Sequence, residues 1–249
     1  MPAPPILWLD VTDSTNAEAR KAAEAGQTDP LWFAARRQTA GRGRRGRSWS
    51  TGEGDLAATL LTFVDLSPPN AARVTFVAAL AVADLLDGWA APGLVSIKWP
   101  NDVLLDGAKC SGVLVESGPA AGGGLWLGVG IGVNLSSTPP EPLLYRAASL
   151  AQHLGPHATA APTQDEAMAF LAEALDRWLQ VWLREGPEPI LAAWSARATG
   201  LHGPCVARLG SETLEGTAEG VAPDGALRLR LPDGTLRLVS AGDVFPGGG

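Results

Sequence analysis

Lysine is scarce in this chain. Only Lys21, Lys98 and Lys109 are lysines among 19 basic residues, so the other sixteen cations are arginine. Cysteine is scarcer still: Cys110 and Cys205 cannot build a disulfide framework, and neither has metal-ligand spacing with the three histidines. The N-terminal Met1-Pro2-Ala3-Pro4-Pro5 lacks the basic flank and apolar run of a secretory signal. No apolar stretch is long enough to span a bilayer without Gly, Pro or charge, so no membrane partner is expected. Positive charge is in deficit overall. A net charge of -7 argues against a dedicated nucleic-acid binder, because counterion release needs many cations facing phosphate. What is present is ordinary: 249 residues, 46% hydrophobic and 18% charged, enough for one domain with a core, or one plus a small appendix. The expectation is a soluble cytoplasmic protein.

The pattern predicts a strand at Ile6–Leu9 and a helix from the Asp13-Ser14-Thr15-Asn16 stretch to about Ala25, stopped by Gly26. Glu18 stands three residues beyond Thr15, which is capping-box spacing. Strands are expected at Leu31–Arg36, Leu56–Val64, Val95–Trp99 and Leu125–Leu135, with a loop over residues 38–54. Ala71–Trp89 reads as an apolar helix. Val103–Glu116 reads as a hairpin turning on Asp106-Gly107, a pair suited to the positive φ values of a type I′ turn. Helices are expected at about Arg146–Leu154, Gln164–Arg184 and Pro189–Thr199. From Gly203 onward, short alternating runs separated by Gly-Ser and Pro-Asp-Gly turns read as a small antiparallel β-barrel of SH3-like size. The Gly247–Gly249 tail is expected to fray. The fold class is therefore α+β, with the main domain in residues 1–200 and a β module in residues 201–249.

Three segments carry candidate chemistry. Six of the sixteen arginines fall between Arg36 and Arg47, with Gly41, Gly43 and Gly46 interleaved. Glycines let backbone N–H groups approach an anion while guanidinium forks take its oxygens in pairs, which suits a phosphoanhydride. A nucleic-acid patch is the competing reading, but the segment lies between two apolar strands and has no alternating aromatics to stack bases. In the second segment, Lys98-Trp99-Pro100-Asn101-Asp102 and Lys109 flank the predicted hairpin, so two ammonium groups converge on one site. In the third, Gly128, Gly130 and Gly132 alternate along a strand and strip one face of side chains, allowing close approach of a flat ligand or another backbone.

Read in order, Asp13-Ser-Thr-Asn16, the Gly41–Arg47 loop, Lys98–Asp102, Lys109-Cys-Ser-Gly-Val-Leu-Val-Glu116 and Gly130-Ile-Gly-Val-Asn134 resemble the biotin–protein ligases, and the likeness runs through the C-terminal module. The resemblance implies a class II aminoacyl-tRNA-synthetase-like catalytic domain, with a seven-stranded mixed sheet and helices on one side, plus a small SH3-like barrel. It implies that biotin and ATP with Mg2+ give biotinyl-5′-AMP, and that the biotin then passes to a lysine of a biotin carboxyl carrier protein. By the same likeness, Ser14, Thr15, Asn16 and Gln38 would hold biotin's ureido head, while Gly41, Arg42, Gly43, Arg44 and Gly112 would line the rest of biotin and the adenylate. Arg44 and Arg47 would face the phosphates, with Trp49, Lys98, Asn101 and Asn134 also on the nucleotide side. Lys109 would bridge the carboxylate and the α-phosphate as the main catalytic group, with Arg44 beside it and Asp102 orienting the incoming lysine. Magnesium would be carried mainly by ATP, with no protein metal site.

Some members of that family carry an N-terminal DNA-binding domain. Here the motifs begin at Asp13, so a monofunctional ligase without specific DNA binding is expected. A homodimer is left open. The alternatives are a lipoate–protein ligase, which shares the fold and adenylate chemistry, and a non-catalytic nucleic-acid or vitamin-binding module. The arginine loop is expected to be mobile when empty, since six like charges repel.

Overall fold

In the computed structural model, residues 3–139, 146–210 and 212–246 are described. The Gly247–Gly249 tail lies outside them. The chain opens with β1 (Ile6–Thr12), α1 (Thr15–Glu24) and β2 (Leu31–Gln38). β1 and β2 are parallel neighbours, and β2 pairs antiparallel with β3 (Leu56–Val64). Next come α2 (Pro68–Ala71), α3 (Val74–Asp87), β4 (Val95–Lys98), β5 (Asp102–Leu105), β6 (Ala108–Pro119) and β7 (Leu125–Val133). The helices α4 (Gln164–Glu185) and α5 (Pro187–Arg197) follow, then the two-residue β8 (Ala198–Thr199). One mixed sheet results, in the order β1-β2-β3-β7-β6-β5-β4-β8. It has eight strands where the family likeness implied seven, because β8 adds a short parallel edge beside β4.

The helices do not all lie on one side. α3 carries eleven buried residues and packs on the face formed by Leu56, Ala58, Leu60, Val129, Ile131 and Val133. α1 covers the opposite face through Ala19 and Ala23 against Phe33, Leu61 and Trp126. Period-two alternation puts Leu60 and Leu61 on opposite faces, and both faces of β3 are apolar, so each needs a cover. Pro68–Asp87 is the one described stretch long and apolar enough to cross a membrane, and 67% of it is buried in this core. Truncating Leu85 or Leu86, both fully buried, to alanine would cost about 2–5 kcal/mol.

Several local expectations fail for physical reasons. No Thr15–Glu18 capping box forms, because the Thr15 hydroxyl is taken up by Gln38 and Thr59 while Glu18 accepts from Thr12 and Lys21. The expected Arg146–Leu154 helix is absent. The segment instead bridges β6 in extended form at Ala147 and makes only a single 3-10 turn at Leu150–Gln152. Asn134 enforces this by donating to the Ala148 carbonyl at 3.0 Å and accepting from Leu150 N–H at its own carbonyl. The turn at Asp106 (φ 47) and Gly107 (φ 71) has the positive angles of a type I′ hairpin.

The remaining strands are β9 (Gly203–Leu209), β10 (Glu212–Val221), β11 (Leu227–Arg230), β12 (Leu236–Val239) and β13 (Asp243–Pro246). They form a separate antiparallel sheet in the order β12-β11-β10-β9-β13. Its apolar side is continuous with the main core: Cys205, Ala207, Leu227 and Leu229 join the cluster that contains α3. The Trp99 indole donates to the Gly225 carbonyl at 3.0 Å, tying the β4–β5 turn to this second sheet.

Candidate active site

A cavity of about 590 Å³ opens on the α1 face of the main sheet, and residues of β13 close one side. Its floor is made of glycines. A Cβ at Gly130 would overlap Asn16 Oδ1, and one at Gly132 would overlap the Trp49 indole. At Gly112 a Cβ would stand 3.3 Å from the Trp49 ring and from Lys109 Nζ. The alternating glycines therefore admit the first turn of α1 and the Trp49 ring against the sheet, leaving a slot between them.

One end of the slot is polar and uncharged. Thr15 backbone N–H donates to Gln38 Oε1 at 2.8 Å, so the end of β2 and the start of α1 are locked together. Gln38 Nε2 donates to Thr51 at 3.1 Å. Beneath them Thr59, 0% exposed, lies 2.8 Å from the Thr15 hydroxyl and 2.9 Å from Asn16 Oδ1. These groups are amides and hydroxyls held in fixed orientation, as recognition of a neutral polar ring requires.

The other end is cationic. Arg42, Arg44, Arg47, Lys98 and Lys109 line the cavity against two carboxylates, Asp102 and Asp243, in a chain that is acidic overall. Arg44 donates to Asn101 Oδ1 at 2.8 Å, and Asn101 in turn donates to the Val113 carbonyl. Lys109 Nζ lies 2.6 Å from Asp102 Oδ1. The Lys109 backbone is held on both sides, donating to the Arg146 carbonyl and accepting from Ala148 N–H. Burial pulls Arg44 below the usual guanidinium range, although a guanidinium so placed stays charged.

Burial also holds Lys98 below its ordinary 10.5, with the nearby Asp102 pulling the other way. An anion settling beside Lys98 favours the ammonium, so nucleotide binding at alkaline pH, where the lowered group has begun to lose its proton, is expected to take up protons. Calorimetry in two buffers of different ionisation enthalpy checks this. Lys98→Arg should abolish the uptake, and an unchanged uptake would assign it elsewhere.

The arginine loop is tied down from the second sheet. Asp243 accepts from Arg47 Nη2 at 2.6 Å and from Arg45 Nη1 at 2.8 Å. Burial pushes the Asp243 carboxyl up, but the two guanidinium groups outweigh it and hold the group below the usual range. The repulsion expected to loosen this loop is thus met by a carboxylate from β13. These pairs are partly exposed, so Asp243→Ala should change stability by less than about 1 kcal/mol. It should nevertheless speed tryptic cleavage within residues 44–47, and unchanged cleavage would show that the contact does not restrain the loop.

Of the residues singled out in the sequence, Ser14, Thr15, Asn16, Gln38, Arg42, Gly43, Arg44, Arg47, Trp49, Lys98, Asn101, Asp102, Lys109, Gly112 and Asn134 all line this cavity. Gly41 does not. A Cβ there would meet the Trp49 carbonyl and Gln38 Nε2, so its bareness lets the loop close on Gln38. Thr59 and Asp243 were not anticipated: one hydroxyl within an apolar strand and one carboxylate some two hundred residues from the loop carry no local signal.

The N-terminal part of the chain, residues 8–136, matches the biotin/lipoate A/B protein ligase family, and residues 204–247 match the biotin protein ligase C terminal domain. A biotin--[acetyl-CoA-carboxylase] ligase of Paracoccus denitrificans is 42% identical over 95% of this chain and 98% of its own length. The chain belongs to this family. A bifunctional ligase/repressor of Bacillus subtilis is 29% identical over 95% of this chain, which spans 72% of that protein. The fold is similar to that of the Aquifex aeolicus biotin protein ligase solved with biotin and ATP, with a TM-score of 0.79, 25% identity, and coverage of 98% of this chain and 99% of that one. As in a ligase that works on anions, cations dominate the site. Among the described residues no group of three His, Cys, Asp or Glu converges to hold a metal ion. The two carboxylates at the cavity already face Lys109, Arg45 and Arg47. A resident metal does not fit this donor set.

Proposed function

We propose that this chain is a biotin–protein ligase that activates biotin with ATP and transfers it to a lysine of a biotin carboxyl carrier protein. The observation that carries the reading is the polarity of one cavity: a fixed uncharged head pocket at Thr15 and Gln38, a glycine floor, and a cationic end at Arg44, Lys98 and Lys109. That order matches a ligand with a neutral ring, an apolar chain and a terminal carboxylate placed against a triphosphate.

In the first step a biotin carboxylate oxygen attacks the α-phosphorus of ATP. The bond to the β-phosphate oxygen breaks and pyrophosphate leaves, giving biotinyl-5′-AMP. No protein nucleophile is required. Lys109 and Arg44 neutralise two anions brought into contact and the charge that builds between them, so catalysis is positioning and electrostatics. Magnesium enters with the nucleotide as part of that substrate. In the second step the carrier lysine amine attacks the acyl carbon, a C–N bond forms, AMP leaves and the amine loses a proton. Asp102, ion-paired with Lys109 at the cavity wall, is our candidate for orienting that amine. We assign the chemistry to residues 1–200. Residues 201–249 close the phosphate end through Asp243 and Val244.

The test is direct. Incubated with biotin, ATP and an apo carrier domain, the protein should add one biotin to the carrier's lysine and release AMP and pyrophosphate. Modification that proceeds without ATP, or a carrier left unmodified, would overturn the reading.

A further inference from the structure

The buried network behind the head pocket has a direction. Asn16 Nδ2 donates to two groups that only accept, the Glu116 carboxylate at 2.9 Å and the Leu114 carbonyl at 3.4 Å. Arg20 pairs with the other oxygen of Glu116. The Asn16 amide therefore cannot be turned over, and its Oδ1 faces Thr59 as an acceptor, 2.9 Å away. Thr59 has a single hydroxyl proton, and Asn16 Oδ1 claims it. The Thr15 hydroxyl then has an acceptor on either side, Thr59 Oγ1 at 2.8 Å and Gln38 Oε1 at 3.2 Å, so its proton also stays inside the network. Gln38 is fixed independently, since its Oε1 takes the Thr15 backbone N–H.

We infer that Glu116 and Thr59, neither of which lines the cavity, set the direction of these protons so that Thr15 Oγ1 offers a ligand a lone pair and no proton, and thereby select a ring that bears N–H groups. The inference rests on the ligase reading and deepens it. Biotin's cyclic urea supplies such N–H groups, whereas the dithiolane of lipoate has none and would strand the Thr15 lone pair in a buried pocket. A site built to bond a ligand N–H discriminates strongly against an analogue without it, because its own buried group is left unpaired. Glu116 and Thr59 are positioning residues: they act through Asn16 and Thr15.

The experiment compares biotin with lipoate, which shares the carboxylate-bearing chain, in ATP–pyrophosphate exchange. Thr59→Val keeps the shape and removes the hydroxyl, so the biotin-over-lipoate ratio of kcat/KM should fall about tenfold. The change should sit in the KM for biotin, with kcat and the KM for ATP held. Thr59→Ser restores the hydroxyl and should restore the ratio. Glu116→Gln can donate to Asn16 as well as accept, so it should move the ratio in the same direction without touching the cavity. If both variants keep the wild-type ratio, or lose biotin and lipoate activity by the same factor, the proton-direction account is wrong. A wild-type protein with no biotin-dependent exchange would instead sink the ligase reading itself.

Discussion

Lys109→Arg is expected to slow biotinyl-5′-AMP formation by about a hundredfold or more, although the charge is kept. The slot is cut for an ammonium. A Cβ on Gly112 would already stand 3.3 Å from Lys109 Cε and Nζ, Asp102 lies 2.6 Å from Nζ, and the Trp49 ring centre is 5.7 Å away. With the backbone of residue 109 held to Arg146 and Ala148, a longer planar fork cannot back away to make room. The loss should appear in kcat, because the contact strengthens as charge develops between carboxylate and α-phosphate. Single-turnover formation of the adenylate measures it. A variant within a few-fold of the wild-type rate would remove Lys109 from the chemistry.

Gly130→Ala should cost about 1–3 kcal/mol of stability and weaken biotin binding at least tenfold. The new methyl would collide with the Asn16 amide, which the Glu116 and Leu114 contacts prevent from swinging aside. Gly128→Ala, two residues earlier on the same face, is the internal control. Its methyl would meet Thr59 Cγ2 at 3.6 Å and Ala19 Cβ at 3.8 Å, which is ordinary contact. Denaturant melts and calorimetry on the pair should therefore separate them clearly. Equal behaviour would mean that the bare face of β7 is not what seats α1 and shapes the head pocket.

The contrast between those two glycines shows how far the amino-acid sequence could be read. Its alternation marked a stripped strand face, but only the structure shows that α1 fills it at Gly128 and Gly130 and that Trp49 fills it at Gly132. Strands with strong periodicity or an informative turn were legible: β3 begins and ends at the expected Leu56 and Val64, and the Asp106-Gly107 turn has the angles its residues favour. What failed was governed by partners distant in sequence. The 146–154 segment has helix-forming residues, yet the Lys109 backbone and the Asn134 side chain hold residues 146–148 out of a helix through bonds that no local pattern encodes. β13 is four residues long and gains its identity from pairing with β9. The site followed the same division. Residues within the compact motifs converge on the cavity, whereas Thr59, Asp243 and the orienting role of Glu116 depend on a register between strands or a contact between the two sheets.

Biotin-dependent exchange of labelled pyrophosphate into ATP, with no carrier protein present, reads out biotin activation in this cavity by itself. Exchange should require biotin, collapse in Lys109→Arg, and be far weaker with lipoate. Exchange that runs without biotin, or as readily with lipoate as with biotin, would contradict the assignment of a neutral-head, cationic-tail cavity to biotin activation.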